Sequence, residues 1–125
     1  MLAAAGWAIL VPYLGPAWEL TAIVPARVEL VDHAVPGALA AIAAASCLAR
    51  RGRDAITSPD AAVVAASALA VLAGFWTTAT HVPVLPLAAD GDLSWPAALL
   101  HVSAGPPLLV ASLVLLLRET RQAAG

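Results

Sequence analysis

The side chains best suited to chemistry in this chain are its three histidines, His33, His81 and His101. Histidine is the commonest metal ligand among side chains, and an ionisable group at membrane depth is by default a functional candidate. We therefore predict one shared site in which the three imidazoles hold a haem, a chlorophyll-type pigment or a transition metal. Asp32, which directly precedes His33, is a fourth candidate ligand if the site holds a metal.

The spacing of the histidines does not form a short metal-binding motif such as HxxxH or HExxH, so any convergence must come from the fold. The alternative interpretation is that His33 and His81 are polar residues at a membrane interface. In that case only His101, which lies deeper in an apolar segment, has a role in binding.

The sequence contains no recognisable catalytic arrangement. Ser103 lies two residues from His101, and residues two apart on a helix point to different faces. No glycine-rich phosphate loop is evident, and no strand is expected to precede one. We name no catalytic residue and expect the protein to have no catalytic activity of its own.

The composition is that of a membrane protein. Of the 125 residues, 62% are hydrophobic and 11% are charged, whereas a soluble domain carries about 25% charged residues. No basic patch with interleaved aromatic residues is present, so nucleic acid is not expected as a partner. We expect contact with the lipid bilayer and with other membrane subunits or further copies of the chain.

The apolar pattern predicts one all-α domain, an integral membrane bundle of four transmembrane helices over residues 2–19, 32–49, 59–80 and 95–118. Prolines kink the end of the first helix. Residues 20–32 carry too many charges to span and are predicted to form a connection on the surface. Ser58-Pro59-Asp60 and Ser94 predict the starts of the third and fourth helices, and Pro83 predicts the end of the third.

Gly105-Pro106-Pro107 is predicted to break the fourth helix, because these prolines cannot donate to the carbonyls one turn earlier. Freed carbonyls at membrane depth need another partner, and broken helices mark binding sites in some transporters. Small residues recur at every fourth position of two other helices and predict close helix contacts. These rows are Gly37, Ala41 and Ala45 in the second helix and Ala66, Ala70 and Gly74 in the third.

Arginine placement predicts the orientation. Arg50, Arg51 and Arg53 follow the second span, and Arg118 and Arg121 follow the fourth. Excess arginine marks the cytoplasmic side of a membrane. We therefore predict a multi-pass protein of the bacterial cytoplasmic (inner) membrane with both termini in the cytoplasm, and with the three histidines toward the extracytoplasmic face.

These features favour a small accessory or structural subunit of a larger respiratory or photosynthetic membrane complex, with the histidines contributing ligands on the extracytoplasmic side. One alternative is a stand-alone haem- or metal-binding membrane protein. A small transporter that uses the broken fourth helix is less favoured, because the middle of the spans is almost purely alanine, valine and leucine. No motif identifies a family.

Overall fold

The computed structural model describes residues 1–21, 24–51 and 61–124, and these ranges contain helices and turns without a strand. The all-α prediction is confirmed for this part of the chain. The predicted start at Ser58-Pro59-Asp60 lies outside the described residues. The α-helices are α1 (Leu2–Leu10), α2 (Trp18–Thr21), α3 (Ala26–Glu29), α4 (Val35–Arg51), α5 (Ala61–His81), α6 (Val84–Ala89), α7 (Trp95–Val102) and α8 (Gly105–Ala124).

Three helical stretches are long and apolar enough to cross a membrane, namely Arg27–Arg50, Ala61–Ala89 and Trp95–Arg121. They contain 24, 29 and 27 residues. At about 1.5 Å per residue, each exceeds a hydrocarbon core of about 30 Å. These stretches correspond to the second, third and fourth predicted spans, and their length and composition indicate a membrane protein.

The first predicted span is shorter as a continuous helix. Its apolar helix covers Leu2–Tyr13, which at about 1.5 Å per residue reaches only roughly 18 Å. Two 3-10 turns, Val11–Tyr13 and Gly15–Ala17, follow α1, and Pro12 and Pro16 lie within them. The predicted proline kinks are confirmed, while a fourth membrane crossing stays a prediction.

The second half of the expected surface connection is helical. Residues 26–34 form α3 and a π-helical turn, Leu30–Ala34, which run directly into α4. The second candidate span therefore begins at Arg27 rather than near residue 32. Charge at Glu29 argued against a membrane helix here, but this side chain is only 11% exposed and faces the interior of the protein.

Small residues fill the interior, and large apolar residues cover the exterior. α4 packs against α1 and α5, and α8 packs against α5 and α1. The central cluster comprises Ala5, Ala8, Val11, Ala17, Ala40, Ala43, Ala70, Ala104 and Leu108. By contrast, Leu72, Phe75 and Val110 are 63%, 62% and 61% exposed. Close backbone packing inside and bulky apolar groups outside suit helices that contact lipid.

The predicted row of small residues on α5 is confirmed at Ala70 and Gly74, which are buried. A Cβ atom at Gly74 would lie 2.6 Å from the Cα of Leu109, so α8 approaches α5 too closely for any side chain at this position. On α4, the predicted row does not stay on the buried face: Gly37 is buried, Ala41 is partly buried and Ala45 is exposed. A strict spacing of four rotates steadily away from one face of a helix that has 3.6 residues per turn. The buried residues of α4 are instead Pro36, Gly37, Ala40, Ala43, Ala44 and Cys47.

The break in the last span lies two residues before the predicted Gly105-Pro106-Pro107. α7 ends at Val102 and α8 begins at Gly105, with a turn at residues 103–104. The two prolines occupy the first turn of α8. The N–H groups of a first turn have no acceptor within the helix, so proline loses no hydrogen bond there. A Cβ atom at Gly105 would lie 2.5 Å from the Cα of Thr78, so the start of α8 packs directly on α5.

An ion pair joins the far ends of α4 and α8. Arg50 Nη1 lies 3.3 Å from Glu119 Oε2. Arg118 is the immediate neighbour of Glu119, so arginines from two spans lie at the same end of the molecule. His33 precedes the opposite end of α4, which separates the histidines from this arginine-rich end.

Candidate metal centre

The three histidines that are far apart in sequence meet in one cluster. Their ring centroids lie 4.4 Å apart for His33 and His81, 5.0 Å for His33 and His101, and 5.2 Å for His81 and His101. Relative exposure is 1%, 4% and 2% for His33, His81 and His101. Buried side chains in mutual contact are not interfacial polar residues, so the structure favours a shared site over that alternative.

A π-helical turn positions His33. Pro36 has no N–H to donate to the carbonyl of Asp32, and its ring crowds that carbonyl in a regular α-helix. The chain responds with a wider turn, in which the N–H of Val35 donates to the carbonyl of Leu30. Turns of this kind occur frequently at functional sites, since they redirect a side chain without ending the helix.

His81 and His101 are positioned by helix ends. α5 ends at His81 because Pro83 follows, as predicted. α7 begins after Ser94, whose hydroxyl accepts a hydrogen bond from the N–H of Ala97 at 3.4 Å, which confirms the predicted cap. His101 then lies in the last turn of α7 and reaches the cluster from its third side.

Backbone carbonyls fix the protonation of two of the rings. His33 Nδ1 lies 3.1 Å from the carbonyl oxygen of Ala8, and His81 Nδ1 lies 2.6 Å from that of Thr77. A carbonyl can only accept, so we assign the proton of each neutral ring to Nδ1. The Nε2 atoms of both rings then carry lone pairs. A carbonyl partner at the other nitrogen is typical of metal-binding histidines.

The Nε2 atoms converge. His33 Nε2 lies 2.7 Å from His81 Nε2 and 3.4 Å from His101 Nε2, and one donor atom from each ring lies within 4.8 Å of the others. Tetrahedral zinc binds imidazole nitrogen at about 2.0–2.1 Å, which places neighbouring ligand atoms about 3.3–3.4 Å apart. The edge between His33 and His101 matches this separation, the edge between His33 and His81 is about 0.6 Å shorter, and all three atoms lie within 4.8 Å of one another. The rings therefore form a metal site after a small adjustment of their positions.

Glu29 is a member of this cluster that sequence reasoning missed. Its Oε2 lies 3.4 Å from His33 Nε2, and its Oε1 lies 3.8 Å from His101 Nε2. Oε2 is buried and has no hydrogen-bond partner. The sequence did contain a signal, because Glu29 precedes His33 by four residues and such residues share one face of a helix.

Asp32 is placed elsewhere. Its Oδ1 accepts a hydrogen bond from the indole Nε1 of Trp76 at 3.1 Å, which ties the π-helical turn to α5. The histidine, cysteine, aspartate and glutamate side chains whose ligand atoms all lie within 4.8 Å of one another are the three histidines, without Asp32 and without Glu29. Glu29 is nevertheless in contact with two of the rings, through Oε2 to His33 and Oε1 to His101. We assign Asp32 to positioning the helix and Glu29 to the cluster.

A tetrapyrrole with two of these rings as axial ligands does not fit between them. Two axial histidines bind a haem from opposite faces, so the macrocycle must lie between them. Here the Nε2 atoms of His33 and His81 are 2.7 Å apart, and the rings are in edge contact. The Nε2 of His101 faces the same point. The donor set suits a single metal ion, and imidazole is a ligand for zinc, copper, iron and nickel.

The comparisons with known proteins offer no further guide to this site. No protein-family model, curated protein or solved structure matches the chain.

Proposed function

We propose that this protein is a membrane protein that binds one transition-metal ion through the Nε2 atoms of His33, His81 and His101. The observation that carries this proposal is the convergence of one ligand nitrogen from each of the three buried rings, all within 4.8 Å of one another. With the protons of His33 and His81 assigned to Nδ1, their Nε2 atoms carry lone pairs 2.7 Å apart. A metal ion bound by both atoms requires this separation to widen to about 3.3 Å.

A proton is the competing occupant, since one protonated imidazole could donate to the other. The test is metal analysis of the protein purified in mild detergent, followed by titration of the metal-depleted protein with zinc. We expect about one ion per chain. Purified protein without stoichiometric metal, and without zinc binding in the micromolar range, would assign the cluster to a shared proton and overturn the proposal.

Single variants identify the ligands. His33→Ala, His81→Ala and His101→Ala should each weaken zinc binding at least about tenfold, because a ligand is lost from a small set. Asp32→Asn is the matched control on the same helix, since its side chain bonds Trp76 rather than the cluster. Equal loss of zinc binding in Asp32→Asn would point to a fold-wide effect instead of a defined site.

We further propose that the site lies at the extracytoplasmic side. Support comes from the Arg50–Glu119 pair, which gathers arginines at the end of the molecule away from His33. This arrangement agrees with the cytoplasmic (inner) membrane and with both termini in the cytoplasm. Thiol labelling of cysteines introduced at exposed Thr120 and exposed Asp90, in intact cells, tests it: only the cysteine at position 90 should react with an impermeant reagent.

We also propose that the protein is an accessory subunit of a larger bacterial membrane complex. Support comes from the exterior of α5, where Leu69, Leu72 and Phe75 are more than half exposed, a surface that suits another transmembrane helix as well as lipid. Gentle purification should yield larger subunits with this chain. Recovery of the chain alone would favour a stand-alone metal-binding protein, and recovery of several copies would favour a homo-oligomer.

A further inference from the structure

We infer that the Glu29 carboxylate is the fourth ligand of the site, so that the cluster forms a closed set of three nitrogens and one oxygen for a divalent first-row cation of the zinc class. This inference rests on the proposed metal-binding function and specifies which ion the site takes. It also explains why an acidic side chain points into the interior of an apolar helical stretch.

The first support is geometric. Glu29 Oε2 lies 3.4 Å from His33 Nε2, which is the separation expected for neighbouring ligands of a tetrahedral ion with bonds of about 2.0–2.2 Å. His101 Nε2 lies at the same distance from His33 Nε2. Glu29 therefore extends the nitrogen triangle by one oxygen at a matching distance.

The second support is the absence of a donor for this oxygen. Glu29 Oε2 is buried without a hydrogen-bond partner, and His33 Nε2, which lies 3.4 Å away, is an acceptor once the proton of His33 is assigned to Nδ1. A buried carboxylate oxygen without a donor is costly. A cation bound between Glu29 Oε2 and His33 Nε2 removes the cost for both atoms at once.

The third support is charge. Three neutral imidazoles leave a divalent ion with its full charge of about +2 in a poorly solvating environment, and one carboxylate lowers the net charge of the centre to about +1. A charged oxygen ligand beside imidazoles suits zinc, cobalt and similar divalent ions, whereas copper(I) prefers sulfur ligands. Cys47 is a buried thiol of this chain, but it lies nearly four turns beyond His33 along the helix.

Four protein ligands leave no open position for a reactant. Closed four-coordinate zinc sites are structural, whereas catalytic sites keep one position for water or substrate. The ligands come from the π-helical turn and α3, from α5 and from α7, so the ion joins three helical stretches. We therefore assign to the ion the task of holding these stretches together.

The experiment uses cobalt(II), which reports its coordination through its visible absorption. The full chain in detergent is depleted of metal and titrated with cobalt(II), alone and with azide as an exogenous ligand. Intense visible bands of a tetrahedral complex, unchanged by azide, are expected for the unmodified protein. Glu29→Gln removes the charge at constant size. It should weaken cobalt binding at least about tenfold, and azide should alter its spectrum by entering the opened position.

The outcomes separate this inference from the proposed function. No cobalt binding by the unmodified protein would overturn both. Cobalt binding that the histidine variants lose and Glu29→Gln retains, with unchanged affinity and spectrum, would overturn the role of Glu29 alone. Glu29→Asp keeps the charge on a shorter side chain and guards against a folding defect: it should bind cobalt more tightly than Glu29→Gln. Equal weakening in both would assign Glu29 to packing and overturn the inference.

Discussion

His33 and His81 place their Nε2 atoms 2.7 Å apart while the Nδ1 atom of each ring lies within hydrogen-bond distance of a backbone carbonyl. The two residues are 48 positions apart in sequence, and they lie on helical stretches that pack side by side. The carbonyls of Ala8 and Thr77 act as second-layer partners that hold both lone pairs toward one point. At the proposed site, the backbone of α1 and α5 is therefore expected to contribute to metal binding together with the ligands.

Acidification should release the ion. A metal binds the deprotonated form of each imidazole, so protons compete for the same Nε2 atoms, and an unperturbed histidine has a pKa of about 6.5. Affinity for zinc should therefore be highest near neutral pH and fall on acidification. Equilibrium dialysis against zinc over the pH range in which the protein stays folded measures the profile. Affinity that does not fall anywhere in that range would contradict ligation by histidine.

Removal of the ion should destabilise the protein. A ligand that binds only the folded state stabilises it by about 2.7 kcal/mol at a concentration of 100 times its Kd. Thermal unfolding in detergent should therefore shift to lower temperature after chelation and recover when zinc is returned. His101→Ala serves as the control, since zinc should raise its unfolding temperature by less than it raises that of the unmodified protein. An identical zinc-dependent shift in that variant would show that the ion acts elsewhere.

Gly105→Ala should damage the site from outside it. The added methyl group would lie 2.5 Å from the Cα of Thr78, so α8 must move away from α5, and the end of α7 with His101 moves with it. Overpacking of this kind costs about 1–3 kcal/mol. Zinc affinity and thermal stability should both fall. Gly6→Ala is the matched control because nothing lies within 4 Å of its new methyl group, and comparable losses there would disprove the packing explanation.

The convergence of the histidines follows from the sequence once alternating spans are assigned, because His33, His81 and His101 occur near the ends that an up-and-down path brings together. Helix ends were equally readable, since Pro83 and Ser94 act locally. Glu29 was not predicted as a site residue, because counting charges assigns an acidic residue to the surface. Only the contacts of its side chain with buried histidines show that it faces the interior. Contact between the rings, which excludes a tetrapyrrole between two axial histidines, is a distance that no sequence pattern contains.

The π-helical turn before Pro36 was also not predictable from the sequence. A proline early in a helix predicts a helix start, and here the helix instead continues backward through a wider turn to residue 26. The competing effect is the burial of Glu29 and His33 against their neighbours, which stabilises helical structure on the far side of the proline. Tertiary contacts of this kind override a local stop signal.

Pro36→Ala should therefore uncouple metal binding from stability. The new N–H can donate to the carbonyl of Asp32, so the π-helical turn can become a regular α-helical turn with one residue fewer in the bulge. This change rotates Glu29 and His33 by about 100° relative to α4, which carries both side chains out of the cluster. Helix content and the thermal stability of the metal-free protein should stay equal or rise, while zinc affinity falls at least about tenfold.

Pro107→Ala is the control, because that proline lies in the first turn of α8 and its side chain is exposed. Circular dichroism and zinc titration of the two variants decide the matter: unchanged zinc affinity in Pro36→Ala would mean that the wider turn does not set the position of His33.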